Sequence, residues 1–240
     1  MPDPHGLPLA PGAEFALIRR FVPRGQPARA DVLVGPGDDC AVVAGGIALS
    51  TDMSVEGVHF RRDWLSPREI GWRAAAAALS DLAAVAARPI GVLVSLALPA
   101  GDAGDPAVEL MAGVREAAEA VGGAVLGGDV ARTTGPLVVD VTVVGEARNP
   151  VLRSGARRGD EVWVTGALGG AAAAVRAWLA GGEPDGEASA SRAPGRACAR
   201  RAGYWRTPPP PPWWTSPTGS RETPRTCPWR AARRCSSPRR

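Results

Sequence analysis

The succession of apolar runs in this 240-residue chain predicts a mixed α/β domain of the α+β kind. Three observations carry that expectation. Strand-like and helix-like stretches follow one another as strand, helix, strand, helix, strand, strand. Apolar residues make up 45% of the chain, enough to build a core. Acidic groups close the apolar runs: Gly37-Asp38-Asp39, Ser50-Thr51-Asp52, Ser80-Asp81 and Gly127-Gly128-Asp129.

Taken in order, Asp31 to Val34 and Ala41 to Ser50 read as strands flanking a Gly35-Pro36-Gly37 turn, with Gly45-Gly46 as a hairpin. Ser66-Pro67-Arg68-Glu69 has the spacing of a capping box with proline in the first turn, so an alanine-rich helix is expected from there to about Ala87, ended by Pro89. Ile90 to Leu98 is an apolar strand and Asp105 to Val121 an amphipathic helix. Ala124 to Val130 and Leu137 to Gly145 complete the set as strands. The domain is expected to occupy residues 1–148, and the start of a second residues 149–182, with a strand over Glu161 to Thr165 and a helix from about Gly169 to Leu179. Residues 183–240 break the pattern: five consecutive prolines, Pro208 to Pro212, lie in an aperiodic Arg/Pro/Trp-rich tail, for which disorder is the expectation.

The net charge of +4 is unevenly spread: from Ala188 onward twelve arginines face only Glu222, a balance of +11, which leaves −7 for the rest. The folded part is therefore acidic, and a nucleic-acid role for the basic tail with its tryptophans is the weaker alternative. No apolar stretch reaches the roughly 20 residues of a membrane span, and no leader pattern is evident, so a soluble cytoplasmic protein is expected. The four cysteines, Cys40, Cys198, Cys227 and Cys235, form no metal-ligand or disulfide pattern. Every basic side chain is arginine, which excludes a P-loop lysine; metal ions and arginine must then handle any phosphate.

Carboxylates far apart in sequence, each closing a core element, could converge as hard oxygen ligands suited to Mg²⁺ and the phosphates it carries. Each also has a bland reading. Asp39 and Asp129 could be turn residues, Asp81 a partly exposed acid at a helix edge, His59 a loop histidine and Arg153 a solvated side chain. A buried Asp81 would need a metal or an arginine partner.

Gly37-Asp38-Asp39-Cys40, the run from Ser50 to Phe60, Leu79-Ser80-Asp81-Leu82-Ala83-Ala84, Gly127-Gly128-Asp129 and Arg153-Ser154-Gly155-Ala156 together resemble thiamine-monophosphate kinases, in order and spacing, through about Leu179. The resemblance implies an aminoimidazole-ribotide-synthetase-like N-terminal domain, an incomplete C-terminal domain, and a homodimer joined through the N-terminal domain. It implies transfer of a phosphoryl group from ATP to thiamine monophosphate, giving thiamine diphosphate by direct in-line transfer without a protein nucleophile. By the same resemblance Asp39, Ser50, Thr51, Asp52, Asp81 and Asp129 would bind Mg²⁺. His59 would contact the substrate, and Gly128, Asp129 and Arg153 would hold ATP. A related ATP-dependent synthetase, of the aminoimidazole ribotide or selenophosphate type, is the alternative within the fold.

The family's second-domain Asp-x-Ser-Asp-Gly motif is absent from the sequence as it reads. The genetic code offers a reason. Trp has the single codon TGG, so Trp213-Trp214-Thr215 read from the third base gives Val then Asp, and the codons through Gly219 permit Leu, Ser or Thr, Asp and Gly. A frame change between about Glu183 and Arg196 therefore accounts for the tail, and weak or absent activity is expected of the chain as given. The apolar Val162, Val164 and Trp178 would then lack their natural partners and form an uncovered patch.

Overall fold

A computed structural model describes residues 13–21, 29–158, 163–165, 169–185 and 232–234 of the chain. Its main body is a six-stranded sheet in the order β1-β2-β3-β6-β4-β5, formed by β1 (Val32–Val34), β2 (Ala41–Val43), β3 (Ile47–Val55), β4 (Arg88–Pro99), β5 (Ala124–Thr133) and β6 (Val138–Glu146). A short helix, α1 (Ala13–Phe21), precedes the sheet, where the sequence pattern predicts no element. Two further helices cover one face of the sheet: α2 (Pro67–Ala84) and α3 (Asp105–Ala120). β4 and β5 are parallel, joined through α3, while β3, β6 and β4 pair antiparallel.

Alternation sets the two faces. In β6, Val139, Val141 and Val143 are fully buried toward the helices, and Val138, Asp140, Thr142 and Val144 between them are only partly covered. The buried set continues through Val42 and Ala48, Val92 to Leu98 at alternate positions, and Leu79, Leu82, Leu110 and Val114 from the helices. On the opposite face Met53 and Leu93 are 54% and 39% exposed.

The helices meet through glycine. A Cβ on Gly71 of α2 would lie 1.9 Å from the Leu110 carbonyl oxygen, and one on Gly113 of α3 would lie 1.9 Å from that of Arg68. Each helix thus seats its backbone on the other at a position where no side chain fits. Arg68 adds exposed ion pairs to Glu109 and Glu116 across the crossing.

The start of α2 is as the sequence predicts: Ser66 Oγ accepts from the Glu69 N–H at 3.3 Å, and the Glu69 carboxylate accepts from the Ser66 N–H at 2.8 Å. Its end comes earlier than Pro89 would dictate. Ala87 N–H bonds to Leu82 O at 2.9 Å and Ala86 N–H to Ala83 O at 3.1 Å, a Schellman closure that needs a left-handed residue between them. Ala86 takes that position with φ 55°, whereas α3 and α4 (Gly170–Leu179) close in the same way on Gly122 and Gly181.

β3 and β5 also run longer than expected. All nine residues of β3 pair with β6, so Ser50-Thr51-Asp52 lies inside a strand and not at its end; Asp129 likewise lies within β5. The ladders continue because a neighbouring strand supplies partners through these segments, β6 for β3 and β4 for β5.

Beyond the sheet, β7 (Trp163–Thr165) pairs antiparallel with β8 (Ala232–Arg234). Trp178 of α4 is partly buried and stacks on Trp64, ring centroids 5.2 Å apart and planes within 14°, and the Arg61 guanidinium lies 4.6 Å from the Trp64 ring centroid. Trp178 is therefore not the uncovered residue expected, because the loop after β3 supplies an aromatic partner. Val162, His5, Gly159-Asp160, most of the tail and its cysteines lie outside the described residues.

Ala86→Gly should raise stability by about 0.5–1 kcal/mol, since glycine enters the left-handed region without the penalty that alanine carries. Denaturant titration of the two proteins, with equal slopes, measures it.

Candidate active site

The site grows from the covered face of β3. Ser50 and Asp52 are two residues apart, so both point toward α2, and Thr51 between them points to the opposite face. Ser50 Oγ donates to Asp81 Oδ2 at 2.7 Å, tying β3 to α2 across 31 residues of sequence. Ser80 donates instead to the Ala77 carbonyl of its own helix, so Asp81 alone of that pair turns toward β3.

From the turn before β2 comes Asp39. Its carboxylate accepts from both Nε, at 3.2 Å, and Nη2 of Arg153. Asp38, which the sequence pattern presents only as a turn residue, is the anchor of this contact. Its Oδ2 accepts the Arg153 backbone N–H at 3.0 Å and its Oδ1 accepts the Asp39 N–H at 3.0 Å. The doubled aspartate is the only sequence signal for that role.

Burial holds the half-buried Asp81 carboxyl above the ordinary carboxylate range, the Ser50 hydroxyl opposes the rise, the Asp52 and Asp39 charges add to it, and Arg153 lowers it. Cys40, fully enclosed beside the same acids, is pushed up to about 12, first by burial and then by Asp81, Asp39 and Asp38. Asp39, Ser50, Asp52, Asp81 and Arg153 thus form one electrostatic neighbourhood.

Thr51 and Asp129 lie elsewhere. Thr51 Oγ1 donates to Asp140 Oδ1 at 3.1 Å and lies 3.2 Å from Thr142 Oγ1, on the open face. Asp129 and Asp140 both pair in register with Ser95. Asp129 therefore stands three strands from β3, roughly 14 Å at about 4.8 Å per strand. Asp140, absent from the sequence-derived set, joins this second group. Gly128, with φ 156°, has a reason internal to the sheet: a Cβ there would lie 1.8 Å from the Val94 carbonyl oxygen.

His59 is exposed on the loop after β3. Its Nδ1 accepts the Val55 N–H at 3.0 Å, which assigns the ring proton of the neutral imidazole to Nε2 and aims a donor outward. Arg62, two residues past the buried Phe60, forks onto Asp102 at 2.6 and 2.5 Å and reaches Glu56 at 2.8 Å, fixing the base of the loop.

Among the described residues no three acidic, histidine or cysteine side chains are gathered tightly enough to enclose an ion by themselves. Donor chemistry nevertheless fits a hard divalent cation. Asp39, Ser50, Asp52 and Asp81 offer oxygens only, and the guanidinium on Asp39 is a stand-in positive charge at the same carboxylate.

In the metal-free protein the folded state holds the Asp81 proton more tightly than the unfolded state does. Its favourable contribution is therefore complete below the ordinary carboxyl range and lost as pH rises through the raised value. Asp81→Asn should raise the melting temperature in chelator at pH 7, with the difference shrinking toward about pH 4. Cys40 should stay a thiol at pH 8 and resist iodoacetamide in the folded protein; peptide mass mapping, with rapid alkylation in denaturant as reference, reads this at the single residue.

Comparison with known proteins finds relatives of the domain that carries these residues. Residues 37–147 match the family model of AIR synthase related proteins, N-terminal domain. The thiamine-monophosphate kinase of Mycobacterium tuberculosis is 41% identical over 173 residues, covering 70% of this chain and 51% of that one. That of Rhodopirellula baltica is 43% identical over 150 residues, covering 58% and 48%. The chain spans about half the length of the curated relatives it matches. Among solved structures, thiamine monophosphate kinase from Aquifex aeolicus superposes with a TM-score of 0.65 at 28% identity, covering 82% of this chain and 63% of that one. Protein tt0281 of Thermus thermophilus gives 0.65 at 33% identity, covering 75% and 60%. AaThiL complexed with AMPPCP and TMP gives 0.64 at 26%, covering 80% and 61%. What the chain shares with these proteins is an AIR-synthase-type N-terminal domain over residues 37–147 and 41–43% identity to thiamine-monophosphate kinases across about half of their length.

Proposed function

We propose that the protein is an ATP-dependent kinase that converts thiamine monophosphate to thiamine diphosphate, with Mg²⁺ as cofactor, in the cytoplasm. The observation that carries the reading is the meeting of Asp39, Ser50, Asp52 and Asp81 with Arg153 on the covered face of β3. Mg²⁺ typically takes one or two carboxylates and fills its remaining positions with water and phosphate oxygens, so an open group of oxygen donors suits it better than a closed cage. Bound there, the ion would neutralise charge on the phosphoryl group in flight.

The chain's own residues divide the remaining work. Arg153 offers a two-pronged donor for ATP phosphate, and the outward Nε2–H of His59 offers a donor for the phosphate of thiamine monophosphate. The resemblance assigns Gly128 and Asp129 to ATP and Thr51 and Asp129 to the metal as well; these lie on the open face of the sheet, apart from the group that carries this reading. A homodimer formed on that face would cover Met53 and Leu93, which are otherwise exposed. No helix among the described residues is long and apolar enough to cross a membrane, which accords with this placement.

The division into an N-terminal Mg·ATP domain, residues 1–148, the start of a second domain at 149–182 and an out-of-frame tail at 183–240 belongs to the same proposal. Positioning by ligands from both domains accounts for much of the rate in such a transfer. Thiamine diphosphate formation should be at least about 100-fold faster once the alternate frame is restored after Gly182, measured by product chromatography with ATP and thiamine monophosphate. Equal rates would remove the second-domain motif from the mechanism, and no product from either protein would remove the kinase reading.

A further inference from the structure

We propose that Arg153 is a built-in counter-cation that occupies the metal's carboxylate, Asp39, until a divalent ion displaces it and so releases its guanidinium to the nucleotide phosphates. The inference rests on the kinase reading above and adds an exchange that orders the site.

The geometry has the parts such an exchange needs. The guanidinium engages both oxygens of Asp39, through Nε at 3.2 Å and through Nη2, so an ion approaching along the edge the two oxygens share must first displace it. Its backbone is pinned separately, by the 3.0 Å bond from the Arg153 N–H to Asp38 Oδ2. The side chain can therefore swing while its origin stays at the site. The Arg153 side chain is 60% exposed and that of Asp39 22%, so the pair keeps solvent access and is weak enough to exchange; a fully buried fork would not let go. Asp81 acts on Arg153 as well as Asp39 and Asp38, which places the guanidinium within the acid group and not at its margin.

Displacement makes two ligands respond in opposite directions when Arg153 is removed. Free Mg²⁺ loses a competitor for Asp39, while nucleotide loses a donor. A merely structural Arg153 would weaken both, because losing it would let the Asp39 turn drift from Asp81.

Calorimetric titration of the 240-residue chain with Mg²⁺ alone, and then with AMPPCP at fixed Mg²⁺, separates these cases. Arg153→Gln should bind Mg²⁺ at least about threefold tighter than wild type and AMPPCP at least about tenfold weaker. Arg153→Lys, which keeps the charge but loses the fork, should fall between them on both counts. Arg148→Gln serves as the charge control, since Arg148 pairs with Glu146 and not with the site acids. Mg²⁺ affinity in Arg153→Gln equal to or below wild type, or the same gain in Arg148→Gln, overturns the exchange. Absence of AMPPCP binding in wild type counts against the kinase reading instead, and the Mg²⁺ comparison still decides whether Arg153 and the ion compete.

Discussion

The crossing of α2 and α3 through Gly71 and Gly113 is the constraint from which the rest of the domain follows. With each Cβ position taken by the partner's carbonyl oxygen, the two helices have little freedom to slide or separate. They act as one rigid layer on the sheet. That layer sets the height of α2 over β3, and α2 in turn carries Asp81 to the Ser50 hydroxyl. A displacement at the crossing would move the carboxyl before it moved anything else in the site.

The sheet divides chemistry by parity. Consecutive residues of β3 serve opposite faces, Ser50 and Asp52 toward the helices and Thr51 toward Asp140 and Thr142. One strand therefore contributes to two polar groups, separated by the thickness of the sheet. The covered group is crowded and partly dry, which raises the Asp81 carboxyl and suppresses ionisation of Cys40. The open group is more exposed to water.

Local rules make much of this visible in advance. The Ser66-Glu69 box, the Gly45-Gly46 hairpin and the extent of α3 depend on residues close in sequence and are readable from them. The early end of α2 is not, because alanine at position 86 gives no sign of a left-handed closure that only the packing of Ala87 against the core requires. The length of β3 is hidden for a similar reason. Its second half is held by β6, and partners roughly 80 to 90 residues away leave no mark on local hydropathy. Of the candidate site, the acids stand out in the sequence through the pattern that resembles thiamine-monophosphate kinases, but their division between two faces emerges only once the register is known. The anchoring role of Asp38 depends on a backbone N–H more than a hundred residues away, which no spacing encodes.

The stack of Trp64 on Trp178 gives the molecule an optical property of its own. Two near-parallel indoles 5.2 Å apart share their excited states, so their ultraviolet transitions belong to the pair and not to either ring. One indole sits on the loop that carries His59 and the other on the first helix of the following segment. The chain thus carries an intrinsic chromophore whose signal exists only while those two parts of it are touching.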